Sequence, residues 1–379
     1  MSRIGKRQGL SSRELFLEAF TEALERAPRL SREKIGAIYV GSQSETYEHQ
    51  IMYGTLIAEA AGLVSRPAVR VEGCAAAGAL AFRSAIIDVM SGLHDVVMAV
   101  GVEKMTGRTV SEVTDALMAA GDLAFEQRNG LTFPSLYAMM ATSHMKRYGS
   151  TEEDLALVAV KNHENASRNP KAHLQRRVTL EEALKSRVVA WPLKLYDCAP
   201  ISDGAAVAIL ARADLAGRLT DTPLGVLGMG LATDTLGLYS REDLSWPSAV
   251  ATACAEAYST AAISPGDVDL AEVHDAFTIN EILICEAAGF AGRGAGHLLV
   301  RNGGTRVGGA GTAVNTSGGL KARGHPTGAT GLAQVYEAYL QLTGQAEQGR
   351  QVEGAKIALT VNEGGSDAVV AAHVIGRAN

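Results

Sequence analysis

Ser31-Arg32-Glu33-Lys34-Ile35-Gly36-Ala37-Ile38-Tyr39-Val40-Gly41 has a counterpart far downstream in Ser264-Pro265-Gly266-Asp267-Val268-Asp269-Leu270-Ala271-Glu272-Val273-His274. Each is a helix end, a polar turn and an apolar run of strand length. Around the first copy, Ser11 to Ala27 predicts an amphipathic helix with Leu15, Ala19, Ala23 and Leu24 on one face. A helix over Ile51 to Ala61 and a strand over Pro67 to Val71 follow. Next come an apolar, and so buried, helix over Ala75 to Met90 and a strand over Asp95 to Val100. Around the second copy lie a short strand candidate at Leu224 to Leu227 and a helix over Ser248 to Ala262. A Gly-rich turn at Asn315 to Gly319, a helix from Pro326 and strands around Val361 and Val369 complete it. Two copies of one helix–strand plan imply two similar α/β halves about a pseudo-dyad, with the site at their seam.

The chain has 379 residues, enough for about two domains or one duplicated fold. With 41 glycines and 5% aromatics, it suits close helix–sheet packing. A net charge of −6 argues against nucleic acid or an anionic membrane as the main partner. No N-terminal run resembles a signal peptide, and no apolar run of about 18 residues able to span a bilayer is expected. The C-terminus carries no peroxisomal address. Cys74, Cys198, Cys254 and Cys285 are scattered without CxxC spacing. Neither a disulfide framework nor a zinc site is expected, and the setting is a reducing cytosol.

Between the copies, Glu103 to Cys198 is more polar, with helical segments and little strand signal. Lys161-Asn162-His163-Glu164-Asn165 and Arg168-Asn169-Pro170-Lys171, followed by Arg176-Arg177, form a polar cluster there. It reads as a solvated face, or as an excursion offering cations to a phosphate-bearing ligand.

Four places carry groups able to do chemistry. Cys74 sits between a strand and a helix, where the helix dipole favours thiolate; a small buried hydrophobe is the commoner fate of a free cysteine. His325 precedes Pro326, which suits the first helical position, so the imidazole stands at a helix start. His274 follows a strand end, where open α/β sheets present ligand-facing residues. Either histidine alone also reads as a structural polar contact. Asn362-Glu363-Gly364-Gly365 is a glycine turn that either offers N–H groups to an oxyanion or simply closes a hairpin. Together these fit Cys–His nucleophilic catalysis without proving it.

The same blocks resemble the thiolase family, most closely its sterol-carrier-protein-type and archaeal biosynthetic branches. The resemblance runs through essentially the whole chain. It is carried by Val71-Glu-Gly-Cys74-Ala-Ala-Ala-Gly, Cys198-Ala-Pro-Ile-Ser-Asp203-Gly204, His274-Asp-Ala-Phe, Asn315-Thr-Ser-Gly-Gly, Gly324-His325-Pro-Thr-Gly-Ala-Thr-Gly and Asn362-Glu-Gly-Gly, in that order. It implies an α/β thiolase fold, with two duplicated halves in five α-β-α-β-α layers. The halves would be residues 1–103 with 199–212, and 223–379, with 104–198 as an inserted loop domain that binds coenzyme A. It further implies a homodimer or dimer of dimers. Coenzyme A would be substrate and product, and no cofactor would be permanently bound. Residue by residue, Cys74 would accept the acyl group, and His325 would take its proton and also help hold the thioester oxygen of the second acyl-CoA. The N–H groups of Cys74 and Gly364 would form one oxyanion hole. His274 would serve a second, where many thiolases carry an asparagine. Coenzyme A contacts would fall on Met139, Lys161, His163, Arg168 and Phe277.

Three departures from the family pattern stand out. The second reactive cysteine found elsewhere in the family, at the position of Asn362 or of Ala276, is missing from both. A proton must still leave the acetyl α-carbon, so His325 or His274 would do double duty. Archaeal-type relatives share the His-Asp-Ala-Phe block and work with a small zinc-ribbon and OB-fold partner. The chain also begins where the family's first strand should end; either that strand is left out of the sequence given, or the first sheet has one strand fewer and an exposed edge. No fused lipid-transfer domain is expected after the thiolase part. The reading is an acyltransferase that makes or cleaves 3-ketoacyl-CoA. The alternatives are a retro-aldol lyase on steroid side-chain thioesters, or a non-catalytic or partner-dependent acyl-CoA-binding subunit.

Overall fold

A computed structural model describes residues 1–377. The first sheet contains β1 (Ala37–Gly41), β2 (Ala68–Val71) and β3 (Val96–Lys104). A small hairpin, β4 (Val188–Ala190) and β5 (Leu193–Lys194), belongs to the mostly helical stretch that follows, after which β6 (Asp203–Ala211) returns to the first sheet. The second sheet holds β7 (Leu224–Thr233), β8 (Leu270–Glu272), β9 (Ala313–Val314), β10 (Ile357–Gly364) and β11 (Val369–Arg377). The sheet orders are β2-β1-β3-β6 and β9-β8-β10-β11-β7. In both, the first three strands are parallel and the fourth is antiparallel to the third. The quoted repeat supplies β1 and β8, so the duplication is a repeat of topology.

β7 is the strand without a counterpart. It covers β11 from Val369↔Thr233 to Arg377↔Leu224. The matching edge of β6 meets only the first residues of the chain, through Ser2 N–H to Ala205 O (2.8 Å) and Gly5 N–H to Asp203 O (3.1 Å). The first sheet therefore has four strands against five, as the sequence led one to expect. β7 itself is longer than its predicted four residues because Gly228 and Gly230 interrupt the apolar pattern. A Cβ at Gly230 would lie 2.0 Å from Ala253 O, so the helix Ser248–Ala261 rests directly on the strand backbone.

Two equivalent helices, Ala77–Ser91 and Thr330–Thr343, pack side by side between the sheets. Phe82, Ala85, Leu332, Ala333 and Tyr336 join Val97, Ala99 and Ala206 in one buried cluster there. Their first turns touch backbone to backbone. A Cβ on Gly78 would stand 2.6 Å from Gly328 O, and one on Gly331 would stand 2.4 Å from Ala79 N. No side chain fits at either point, and this contact brings the starts of both helices to one place on the seam. Other helices cover the outer faces, Ser12–Arg26 and Tyr53–Ala60 on the first sheet, Ser248–Ala261 and Thr278–Ala287 on the second.

Some expectations shift. The buried stripe of the first helix is Leu15, Phe16, Ala19 and Phe20, whereas Ala23 and Leu24 are only half-buried. The Cys74–Ser91 stretch is long and apolar enough to cross a membrane by length and composition. However, 61% of it is buried inside the fold, and Met90 on its outer side is exposed. It is a core helix of the seam.

His373 on β11 is fully buried, stacks edge-on to Phe82 at 5.0 Å, and has no partner for either ring nitrogen among the described residues. Burial lowers its pKa to about 3. The unfolded chain binds a proton at this residue below about pH 6.5 while the folded chain does not, so its contribution to stability is lost as pH falls from there towards 3. Between pH 7 and pH 5 this amounts to roughly 2 kcal/mol. His373→Leu, which leaves no polar atom unpaired, should lose about that much less stability over the interval in denaturant titrations.

Candidate active site

β2 ends at Val71, and the chain turns through Gly73 into a single 3₁₀ turn, Cys74–Ala76, that leads into the seam helix. Cys74 sits at φ +52°, a conformation costly for a residue with a side chain, and such strain concentrates at functional sites. The N–H groups of Gly365 and Ala75 favour the thiolate. Burial outweighs them and pushes the thiol up to about 11. The helix start therefore does not give the resting thiolate that the dipole alone suggests; the resting group is a thiol that needs a base. Alkylation by iodoacetamide should accordingly speed up about tenfold per pH unit from pH 7 to pH 9 without a plateau. A plateau by pH 7 would mean that the thiol is already ionised.

His325 supplies a base by virtue of its partners. Its Nδ1 is 2.7 Å from Thr330 Oγ1, and the Thr330 hydroxyl donates to Pro326 O at 2.9 Å. With that proton committed, Thr330 Oγ1 accepts, so His325 carries its hydrogen on Nδ1 and leaves a lone pair on Nε2. Burial, together with the nearby Arg323 cation, lowers its pKa to about 3, so the ring is neutral.

His274 is fixed the other way round. Its Nδ1 faces Asn362 Nδ2 at 2.9 Å and the Glu363 N–H at 3.3 Å. A backbone N–H can only donate, so Nδ1 accepts and the hydrogen lies on Nε2. The two rings meet edge to face, with centroids 5.0 Å apart. Burial, His325 and Arg323 all hold His274 neutral.

Cys74, His274 and His325 line one cleft that opens to solvent. Its walls are mostly apolar, with Met105, Leu117 and, on the segment leading into β6, Ile201. Phe277 forms part of the wall, stacked on Tyr137 at 4.6 Å. Behind the cleft, the buried Glu103 carboxylate ties the halves together. It accepts from Gln43 N–H (2.6 Å) of the first half and from Gly328 N–H (2.9 Å) and the Thr327 hydroxyl (3.1 Å) of the second. One thiol, one imidazole lone pair and one imidazole N–H donor share this cleft, a set of groups suited to acyl transfer through a covalent thioester.

The thiolase N-terminal domain model matches residues 1–214, and the thiolase C-terminal domain-like model matches residues 230–377. The chain belongs to the thiolase family. It is 47% identical to an acetyl-CoA acetyltransferase of Methanothermobacter thermautotrophicus, over 99% of this chain and 97% of that one. It is 34% identical to the rat (Rattus norvegicus) sterol carrier protein 2, over 83% of this chain and 60% of that one. The structure of an Ltp2-ChsH2(DUF35) aldolase superposes with a TM-score of 0.83 at 23% identity, covering 99% of this chain and 95% of that one, and so shares the fold. This thiolase is thus an acyltransferase of the thiolase type.

Not every site residue read from sequence comes to the thiolase cleft. Cys74, His274, His325 and Phe277 do. Gly364 is the last residue of β10, paired with Val369, and it is Gly365, one residue further on, that lines the cleft. The Cys74 N–H donates to the exposed Glu72 carboxylate at 2.6 Å. The sequence places Asn362 and Glu363 in a turn; they lie within β10, and the turn follows at Gly365.

Apart from Phe277, the residues assigned to coenzyme A do not line this cleft. Lys161 is buried, and its ammonium is held by Asn162 Oδ1, Glu281 and Val314 O. His163 is buried and bonds Arg176 O. Arg168 bonds Gly349 O and pairs with Glu164, lining a separate polar pocket with Lys161 and Arg306. Met139 is partly exposed on the helix Phe133–Tyr148, and it is Phe133 and Tyr137 of that helix that line the cleft. Sequence reading missed Thr330, Asn362 as a partner of His274, and Tyr137. Thr330 had a local signal, five residues after His325 in a helix start, but the other two depend on contacts across the fold.

Proposed function

We propose that this acyltransferase forms or cleaves 3-ketoacyl-CoA by Claisen or retro-Claisen chemistry through an acyl thioester on Cys74. The observation that carries the reading is the pair of opposed tautomers in one cleft with a protonated thiol. His325 Nε2 is a free lone pair able to take the thiol proton, and His274 Nε2–H is a donor for a thioester oxygen as it gains charge. The N–H of Gly365, with that of Cys74 once Glu72 swings into solvent, serves as the other oxyanion hole. Each such donor is worth on the order of 3 kcal/mol of barrier. The apolar walls suit an acyl chain, and coenzyme A is the substrate and leaving group, with no cofactor permanently bound.

The proposal places the enzyme in the cytoplasm, as a homodimer or dimer of dimers, with a small zinc-ribbon and OB-fold partner protein. The partner follows from the archaeal-branch resemblance; the aldolase sharing the fold is itself a complex with a DUF35 chain. The test is exchange of labelled coenzyme A into acetyl-CoA with no second substrate present, which reports reversible transfer to the enzyme. Exchange supports a covalent acyl intermediate. Its absence in folded protein that binds coenzyme A would overturn the reading in favour of a binding subunit.

A further inference from the structure

A Claisen condensation moves two protons, one from the nucleophilic thiol and one from the α-carbon of the second thioester. Among the described residues, Cys74 is the only thiol lining the cleft. Cys254 and Cys285 are buried in the second half's core, and the Cys198 thiol bonds back to Lys194 O. No carboxylate lines the cleft either. The groups left to take a proton are two imidazoles, and they are not equivalent, because partners outside the cleft have already chosen their tautomers.

We propose that His325 Nε2 moves both protons, and that Asn362 is a positioning residue that keeps His274 out of this work by holding it as an Nε2–H donor. The proposal rests on the acyl-thioester reading above. In the first half-reaction His325 Nε2 takes the Cys74 proton and the thiolate adds to the acetyl-CoA carbonyl. The bond from that carbon to the coenzyme A sulfur then breaks, and coenzyme A leaves with the proton that His325 held. The imidazole is neutral again. In the second half-reaction the same lone pair takes a proton from the α-carbon of the incoming acetyl-CoA. The C–H electron pair becomes the enolate double bond, and the carbonyl pair moves onto the oxygen facing His274 Nε2–H. The enolate carbon then bonds to the acyl carbon on Cys74, the C–Sγ bond breaks, and the departing thiolate recovers the proton from His325. Asn362 and the Glu363 N–H make His274 a donor throughout, and Thr330 makes His325 the acceptor.

The experiment isolates the α-proton from acyl transfer. Full-length Cys74→Ala protein is incubated with acetyl-CoA in deuterated buffer, and deuterium in the recovered acetyl group is read by mass spectrometry. The single variant should incorporate deuterium, and adding His325→Ala should slow incorporation at least ~100-fold. Free imidazole should restore part of the lost rate, which a merely structural role for His325 would not allow. Asn362→Asp gives His274 a carboxylate on Nδ1 and reverses its tautomer, so in the Cys74→Ala/His325→Ala background it should raise exchange. Nitrogen NMR of the unsubstituted protein checks the tautomers without any variant, expecting hydrogen on Nδ1 of His325 and on Nε2 of His274. Undiminished exchange without His325 would overturn the proposal. So would absent exchange in a Cys74→Ala protein that still binds acetyl-CoA, or the opposite pair of tautomers. Failure of the acyl-thioester reading would show separately, as unsubstituted enzyme that never acquires an acetyl group on Cys74.

Discussion

Cys74→Ala should abolish acyl transfer, with kcat reduced on the order of 10⁶-fold, as when an enzyme loses its nucleophile. Among the described residues no other thiol lines the cleft to take over; Cys254 and Cys285 lie in the core, and the Cys198 thiol bonds Lys194 O. The φ of +52° would strain alanine as it strains cysteine, so the fold should be unaffected and the circular dichroism spectrum unchanged. Coenzyme A binding should survive as well, because the cleft walls are other residues. Loss of turnover with binding intact, measured by steady-state kinetics beside calorimetry, distinguishes a nucleophile from a packing residue. A variant that stayed active would instead point to the aldolase type of chemistry, which needs no cysteine.

His325→Ala should lower kcat by about 10³ to 10⁴, the upper part of the range for a general base, because one ring serves both half-reactions. The thiol is held near 11 by burial, so without a base the thiolate population at pH 7 is on the order of 10⁻⁴. Raising the pH should then recover activity in the variant about tenfold per unit, a slope the unsubstituted enzyme would lack. Thr330→Val is the gentler probe. It removes the acceptor for Nδ1–H without removing the base, so the tautomer is no longer fixed, and kcat should fall by about tenfold.

The duplication was legible because its pieces are local, with the same polar turn and apolar run appearing twice. The cysteine and both histidines were legible because each stands at an element end, where the chain itself announces a change of direction. The length of β7 was hidden because Gly228 and Gly230 look like a turn until the helix lying on them is known. The resting state of Cys74 was misjudged because a helix start is visible in sequence while burial is not. That Lys161, His163 and Arg168 stand away from the cleft was hidden for a related reason. A charge run shows its charges but not their partners, and the partner of Lys161 is Glu281, from the helix Thr278–Ala287 of the second half. Asn362 is the instructive case. Noted in sequence for lacking a thiol, it gains meaning only when β10 and the end of β8 bring it to within 2.9 Å of His274.

The central claim, that Cys74 carries the acyl group, is tested most directly by the mass of the Cys74 peptide after brief incubation with acetyl-CoA and acid quenching. One added acetyl group on that peptide, discharged when coenzyme A is supplied, is the result the structure leads us to expect. A folded protein that binds acetyl-CoA and leaves the peptide unmodified would contradict it.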